Sequence, residues 1–319
     1  MNKPNLIVIP DDSPAVMAPS EAFRKLGNYD VCLYDTRPSS AGALIERIRE
    51  ARVVINIRSS CRFDREVFDA VPGLRIISIW GTGTDNVDLN SAVEHDICVT
   101  NTPGVSVNTV AEHTLMLMLA ASRRIVDVDR RVRKGEWPRS LITQLHGKTL
   151  GVIGLGAIGR RVAKLALGIG MNVIAWTLNP SEEVAMKIPL TLVEFEEVFK
   201  ESDVVTVHVR HSVTTDRFIN ANHFELMKPN ALFINTARGK IVDEQALLDH
   251  LKRGLIGGAG LDVFSSEPMA VTSPFFKLSN VVMSPHSAGI SPEAIELGLE
   301  MAIDNVLAFL KGEPINVVV

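Results

Sequence analysis

Apolar residues recur along this chain in two rhythms that alternate from the N-terminus onward. Short continuous apolar runs at Asn5–Ile9, Asp30–Tyr34, Val53–Ile57, Leu74–Ile79 and Ile97–Val99 predict buried strands. Helical spacing at Glu21–Leu26, Ala41–Arg49, Asp64–Ala70 and Leu89–Glu94 falls between them. Strand–helix alternation of this kind predicts a parallel sheet with helices on both faces. The rhythm resumes further on. Strand runs near Leu150–Ile153, Asn172–Trp176, Val204–His208, Ala231–Asn235, Gly258–Val263 and Val281–Ser284 alternate with helical runs near Ile158–Leu167, Thr191–Glu201, Asn222–Leu226 and Glu244–Arg253. That is about the strand number of a doubly wound sheet. A last helical run, Pro292–Leu310, is expected to return to the first sheet and make its domain discontinuous.

Between the two series, Thr109–Arg123 reads as a helix apolar on nearly all sides, and so buried. Met116 and Met118 on it read as core filler. The charged segment Ile125–His146 reads as an arm or linker, with Trp137 placed for a contact between subunits.

The stretch Thr149–Trp176 organises the rest. Gly154, Gly156 and Gly159 lie between an apolar strand run and a helical run, and Gly170 closes that helix. Strand, glycine turn and helix in this order form the context of a dinucleotide site. Gly154 permits the turn, Gly156 lets a pyrophosphate approach the backbone, and Gly159 lets helix and strand pack closely. The phosphates then meet the free N–H groups of a helix N-terminus. The plainer alternative is a tight turn without a ligand.

Late strands of the second series end on chemically capable groups. Arg238 follows the fourth run, Glu267 the fifth and His286 the sixth. Ligands of open α/β sheets bind at carboxyl ends of strands. A cation to hold a carboxylate, an imidazole to move a proton and a carboxylate to orient that imidazole suit a 2-oxo acid/2-hydroxy acid oxidoreductase. Each also has a structural alternative, as a turn acid or a helix-entry residue. In the first series, Arg58-Ser59-Ser60 and Gly81-Thr82-Gly83-Thr84-Asp85-Asn86 follow strands. The glycine-rich loop offers exposed amides for a carboxylate, or is simply a tight turn. Arg58 offers a bidentate cation, or a solvated one.

Composition narrows the class. With 319 residues, 46% hydrophobic and 22% charged, the chain suits two globular domains. A net charge of -4 argues against nucleic acid. Thr114–Ala121, the longest apolar stretch in a helical setting, is too short for a bilayer. Acids follow the first apolar run at once, which is no signal-peptide layout. Cys32, Cys61 and Cys98 form no C-x-x-C pair and fit a reducing compartment. A cytoplasmic protein is expected, without a membrane partner.

The chain resembles the D-isomer-specific 2-hydroxyacid dehydrogenase family over nearly its whole length. The resembling segments are GTGTDNVDL (81–89), NTPGVSVNTVAEH (101–113), GKTLGVIGLGAIGR (147–160), MKPNALFINTARGKIVDEQAL (227–247), GLDVFSSEP (260–268) and SPHSAG (284–289). The resemblance implies an α/β protein of two doubly wound parallel-sheet domains. A Rossmann cofactor domain, 102–286, is inserted in a flavodoxin-like substrate domain, 1–101 and 287–319. It implies Arg238, Glu267 and His286 as catalytic residues, and Thr82 and Gly83, with Arg58, as the substrate's carboxylate site. Cofactor contacts fall on Thr82, Ala157, Ile158, Thr236, Asp262 and the segment from His286 through Gly289. It also implies a homodimer. The region of Arg58 and Thr82 is closer to phosphoglycerate and hydroxypyruvate enzymes than to those for bulky apolar acids, so a small acid of the hydroxypyruvate or glyoxylate class is expected.

Two positions depart from the family pattern. Thr177 stands where an acid usually accepts the ribose hydroxyls, and no Arg stands beside it. NAD is expected, and NADP stays open. Arg210 follows His208 where the family often has Pro, either beside the adenosine or solvated. The same family fold includes transcriptional corepressors, so a dinucleotide-sensing binding protein is the alternative function. Formate enzymes of the fold pair the His with Gln, and Glu267 argues against that chemistry.

Overall fold

The computed structural model describes residues 5–58, 60–139, 141–180 and 188–319. Ser59, in the first loop singled out above, lies outside them. The chain divides into two compact units, Met1–Ser106 with Ile290–Val319, and Val107–Gly289. Residues 102–106 therefore go with the first unit and Ser287–Gly289 with the second, a few residues from where the pattern places the boundaries.

In the first unit, β1 (Ile7–Ile9), β2 (Val31–Leu33), β3 (Val53–Asn56), β4 (Ile76–Ile79) and β5 (Cys98–Thr100) form one sheet in the order β2-β1-β3-β4-β5. Every pairing among them is parallel. Side chains alternate across it as strand geometry requires. Val8, Val54, Ile77 and Val99 face helices α1 (Ala41–Ile48), α2 (Arg65–Ala70) and α3 (Leu89–Glu94), meeting Leu44, Ile48, Val67, Phe68 and Ala92. Ser40, Asp64 and Asp88 cap these helices through their side chains, each cap contributing about 1 kcal/mol. Ile7, Ile9, Val53, Ile55 and Ile76 face the other way. There they meet Leu299, Ala302, Ile303 and Val306 of the C-terminal helix α10 (Pro292–Leu310), which completes this core as the pattern predicts. The run Ala22–Leu26 forms a 3-10 helix on the same face.

The second unit carries β6 (Thr149–Ile153), β7 (Asn172–Trp176), β8 (Thr191–Leu192), β9 (Val204–Val207), β10 (Leu232–Asn235), β11 (Gly258–Leu261) and β12 (Val281–Met283). They form a parallel sheet in the order β12-β11-β10-β9-β6-β7-β8. The order reverses between β6 and β9, and that switch point opens the ligand crevice of such sheets. Among the described residues, helices α4 (Val107–Arg123), α5 (Ile125–Arg133), α6 (Ala157–Gly168), α7 (Phe195–Glu201), α8 (Ala221–Leu226) and α9 (Glu244–Lys252) belong to the unit.

Three expectations are corrected. Thr191–Glu201 is not one helix: Thr191 and Leu192 pair with β7 as an edge strand, and the helix starts at Phe195 after the Glu194 capping box. The segment read as arm or linker begins with a helix, α5. Asp127–Arg130 and Asp129–Arg133 pairs one turn apart support it. On α4, Met118 is buried but Met116 is 44% exposed, because the helix buries one face against α6 and the sheet and leaves the other uncovered within the unit.

Candidate active site

The glycine turn is built as its residue types require. Gly154 has a φ of 100° and donates its N–H to the Trp176 carbonyl at 2.7 Å. A Cβ there would lie 2.9 Å from the His208 carbonyl carbon. A Cβ on Gly159 would lie 2.0 Å from the Gly154 carbonyl oxygen, so this glycine lets α6 seat directly on the turn. Gly156 differs: nothing lies within 4 Å of where its Cβ would be. It caps α6 without a side-chain bond, and the first turn carries no acid. The amides of Ala157, Ile158 and Gly159 thus stand beside an open approach, the fit a pyrophosphate needs. At the other end of α6, Met171 N–H returns to Ala166 and Gly170 N–H to Leu167, with Gly170 at a φ of 80°. This Schellman closure turns the chain straight into β7.

Thr177 follows β7 and lines a cavity of about 490 Å³ with Trp176, Leu178, Pro180, Glu194 and Glu197. Two carboxylates therefore stand near the missing acid. At the end of β9, the exposed Arg210 side chain has no ion pair or hydrogen bond among the described residues, and its neighbour His211 pairs with Asp216 at 2.8 Å. His208 accompanies the glycine turn. Its ring lies 3.0 Å from Thr206 Oγ1, and desolvation pushes its imidazole down to about 3.

The three chemically capable groups sit on consecutive strand ends. After β10, Asn235 clamps the next turn: its amide donates to the Arg238 carbonyl at 3.0 Å, and its side-chain oxygen accepts from the Ala237 N–H at 3.0 Å. Arg238 is half-buried, with a guanidinium N–H on the Ala237 carbonyl at 2.7 Å. After β11, Glu267 Oε1 accepts the Phe264 N–H at 2.8 Å. Its Oε2 lies 2.6 Å from His286 Nδ1. Burial, the largest influence, pushes the Glu267 carboxyl up. The hydrogen bonds from His286 and Phe264 and the charges of His286 and Arg238 outweigh it and hold the group below the usual carboxylate range.

His286 itself adopts a φ of 53°, uncommon for a side chain of its size. Its N–H donates to the Asp262 carbonyl at 2.7 Å. The Nδ1–Glu267 bond leaves Nε2 as the ring nitrogen not engaged by that carboxylate. Asp262 is fully buried. Its carboxylate accepts from Ser284 Oγ at 2.6 Å, Ser287 N–H at 2.9 Å and Ala288 N–H at 2.9 Å. The side chain of this expected cofactor contact is thus engaged with the loop that follows β12. Thr236 is buried with its hydroxyl 2.9 Å from that of Thr114. Gly289 closes the segment at the unit boundary.

In the first unit, Thr82 is exposed and its carbonyl accepts from Asn101 at 2.9 Å, while the Gly81 N–H donates to Thr102 Oγ1 at 2.6 Å. Gly83 lies in the same loop, half-buried. The Arg58 guanidinium donates to the Pro14 carbonyl, and its buried Nε has no partner among the described residues. Asn235 escaped the sequence reading. The only trace is an Asn two residues before an Ala at a strand end, the pattern of an Asx turn.

Comparison with known proteins places this arrangement. The family model described as D-isomer specific 2-hydroxyacid dehydrogenase, NAD binding domain, matches residues 115–288. A glyoxylate reductase of Korarchaeum cryptofilum is 39% identical over 291 residues, 89% of this chain and 87% of the relative. A D-3-phosphoglycerate dehydrogenase of Archaeoglobus fulgidus is 41% identical over 276 residues, 86% of this chain and 52% of that enzyme. The crystal structure of D-lactate dehydrogenase from Aquifex aeolicus, complexed with NAD and lactic acid, aligns with a TM-score of 0.86 at 30% identity, covering 97% of this chain and 96% of that one. The chain belongs to the D-isomer specific 2-hydroxyacid dehydrogenase family. It is an NAD(P)-dependent oxidoreductase that interconverts 2-oxo and 2-hydroxy acids.

Proposed function

We propose that this enzyme reduces small 2-oxo acids of the glyoxylate and hydroxypyruvate class to D-2-hydroxy acids. The observation that carries the reading is the 2.6 Å His286–Glu267 pair at the carboxyl edge of the sheet, with the charge of Arg238 acting on the same carboxylate. The bound nicotinamide supplies or accepts the hydride. His286 Nε2 delivers a proton to the carbonyl oxygen in reduction and takes it from the hydroxyl in oxidation. Glu267 fixes the orientation and tautomer of the ring through Nδ1. Arg238 holds the substrate's carboxylate and polarises the carbonyl. Arg58, Thr82 and Gly83 are assigned to the acid's carboxylate, as the family resemblance implies. Thr82 also belongs to the proposed cofactor contacts, with Gly154, Gly156, Ala157, Ile158, Gly159, Thr177, Thr236, Asp262, His286 and Gly289.

NAD is the cofactor we favour, since Glu194 and Glu197 share the cavity of Thr177 and repel a 2′-phosphate. NADP stays open because position 177 lacks the acid and Arg210 carries a charge unpaired among the described residues. We also propose a homodimer. Ile125, Val126 and Val132 on α5, Trp137 at 78% exposure and Leu141 at 98% are too apolar to stay in water. Among the described residues no helix is long and apolar enough to cross a membrane. The three free cysteines support a reducing, cytoplasmic compartment.

The test is loss of reduced-nicotinamide absorbance with NADH and NADPH in parallel, against glyoxylate, hydroxypyruvate, pyruvate and 2-oxoglutarate. Turnover of glyoxylate or hydroxypyruvate above the others is expected. Cofactor binding without turnover of any acid would overturn the reading and favour a dinucleotide-sensing protein.

A further inference from the structure

Two consecutive residues of α4 reach under the loops that carry the reacting groups. Thr114 meets Thr236, two positions before Arg238, through the hydroxyl pair at 2.9 Å. His113, whose side chain is 17% exposed, places Nε2 2.8 Å from Ser284 Oγ and 3.5 Å from Asp262 Oδ1. The direction of these bonds is set by proton count. Both Asp262 oxygens already accept backbone N–H groups, so the Ser284 hydroxyl donates its one proton to Oδ1 at 2.6 Å. Ser284 Oγ can then only accept from His113, and His113 Nε2 carries a proton.

Asp262 in turn holds the catalytic loop from two sides. Its carboxylate takes Ser284, Ser287 and Ala288, and its backbone carbonyl takes the His286 N–H. Four bonds from one buried residue bracket the left-handed backbone of His286. Such a conformation persists only where its surroundings over-determine it. His113 is the outermost donor of that set. The charged groups facing this chain are Glu267 at His286 Nδ1, Arg238 acting on that same carboxylate, and Asp262, which holds the His286 backbone N–H and lies 3.5 Å from His113.

We propose that His113 is a positioning residue for the reaction, holding His286 in place through Ser284 and Asp262. This rests on the reading of His286 as the acid/base. His113→Leu removes the donor, and His113→Gln keeps an N–H at nearly the Nε2 position. With NADH and whichever of glyoxylate and hydroxypyruvate turns over, His113→Leu is expected to lower kcat by about tenfold to 100-fold, the scale of a misplaced catalytic group. The KM for the acid should stay within about twofold, since a lost positioning contact acts on the transition state more than on binding. The pH of half-maximal kcat/KM should shift, and His113→Gln should restore both kcat and the wild-type pH profile. A merely structural residue would lower the melting temperature and leave that profile in place. Ser284→Ala breaks the same chain one bond nearer and decides the matter if the Leu variant does not fold. A wild-type pH profile in the folded Leu variant or in Ser284→Ala, or a Gln variant as damaged as the Leu variant, overturns the proposal. His286→Ala, run in parallel, separates the two readings: full turnover there sinks the acid/base assignment itself, whereas its loss beside an unperturbed His113→Leu sinks only the positioning role.

Discussion

Gly239 lies against the backbone of Phe264 so closely that a Cβ would sit 2.0 Å from the Phe264 carbonyl carbon. The contact joins the two turns that matter most. Gly239 follows Arg238, and the Phe264 N–H holds Glu267. A missing side chain on one strand end thus lets a cation approach the carboxylate on the next. Gly239→Ala should destabilise the enzyme by about 1–3 kcal/mol, the usual cost of overpacking, and should lower turnover as the turns part. Denaturant unfolding and kcat measured on one preparation check both.

Replacing His286 by Ala should reduce turnover by roughly 10²–10⁴, the contribution of a positioned acid/base. Nicotinamide fluorescence should show a much smaller loss of cofactor affinity, since His286 is one contact among many. Arg238→Ala should raise the KM for the oxo acid as well as lower kcat, because the guanidinium acts on both ground and transition states. Unchanged kinetics in either variant would remove that residue from the mechanism.

Acid should weaken the fold partly through Glu267. Its carboxyl is held below the ordinary value in the folded protein. The stability it contributes is complete above the unfolded-chain value of about 4.3 and is lost as pH falls through the depressed folded value. In Glu267→Gln that contribution is absent, so its stability should fall less steeply than the wild type's below pH of about 4. Urea midpoints measured across the acid range test this. Parallel curves would show that the pair contributes nothing.

At the ribose end, Thr177→Asp should shift the NADPH-to-NADH preference toward NADH by about tenfold, the ratio that 1.4 kcal/mol of repulsion produces. An unchanged ratio would show that the 2′ position is read elsewhere, with Arg210→Ala as the next variant. Kd values by fluorescence quenching report this without turnover.

Trp137→Glu places a charge in the exposed apolar arm. Light scattering is expected to show a dimer for the wild type and a monomer for this variant. A monomeric wild type would leave Trp137, Leu141 and the face of α5 without the proposed role.

Much of this molecule was legible in its sequence because the signals are local. Parallel strands buried on both faces leave unbroken apolar runs, and Gly154, Gly156 and Gly159 are dictated by backbone geometry within one turn. Arg238, Glu267 and His286 were legible as types at strand ends. What escaped depends on partners distant in sequence. β8 is two residues long and carries no alternation; only its pairing with β7 makes it a strand. Asn235 acts on its own turn, but its value lies in aiming Arg238. Gly239 reads as a helix-entry residue until Phe264 is seen against it. α5 hid in its charge, since the Asp–Arg pairs that support it look like a solvated linker. Met116 is the converse case: an apolar residue on an apolar helix reads as core, but the helix does not fully enter that core.

The C-terminal helix α10 gives the first unit a history as well as a core. Ile7, Ile9, Ile55 and Ile76 leave the ribosome early, while Leu299, Ala302 and Ile303, which cover them, leave only after the second unit. All of Val107–Gly289 is synthesised in between. At the usual 5–20 residues per second that interval is roughly 10–40 s. Throughout it only Met17, Ala22 and Leu26 can shield that side of the nascent sheet, a long partial exposure, and this side is where a holding chaperone should bind the unfinished chain.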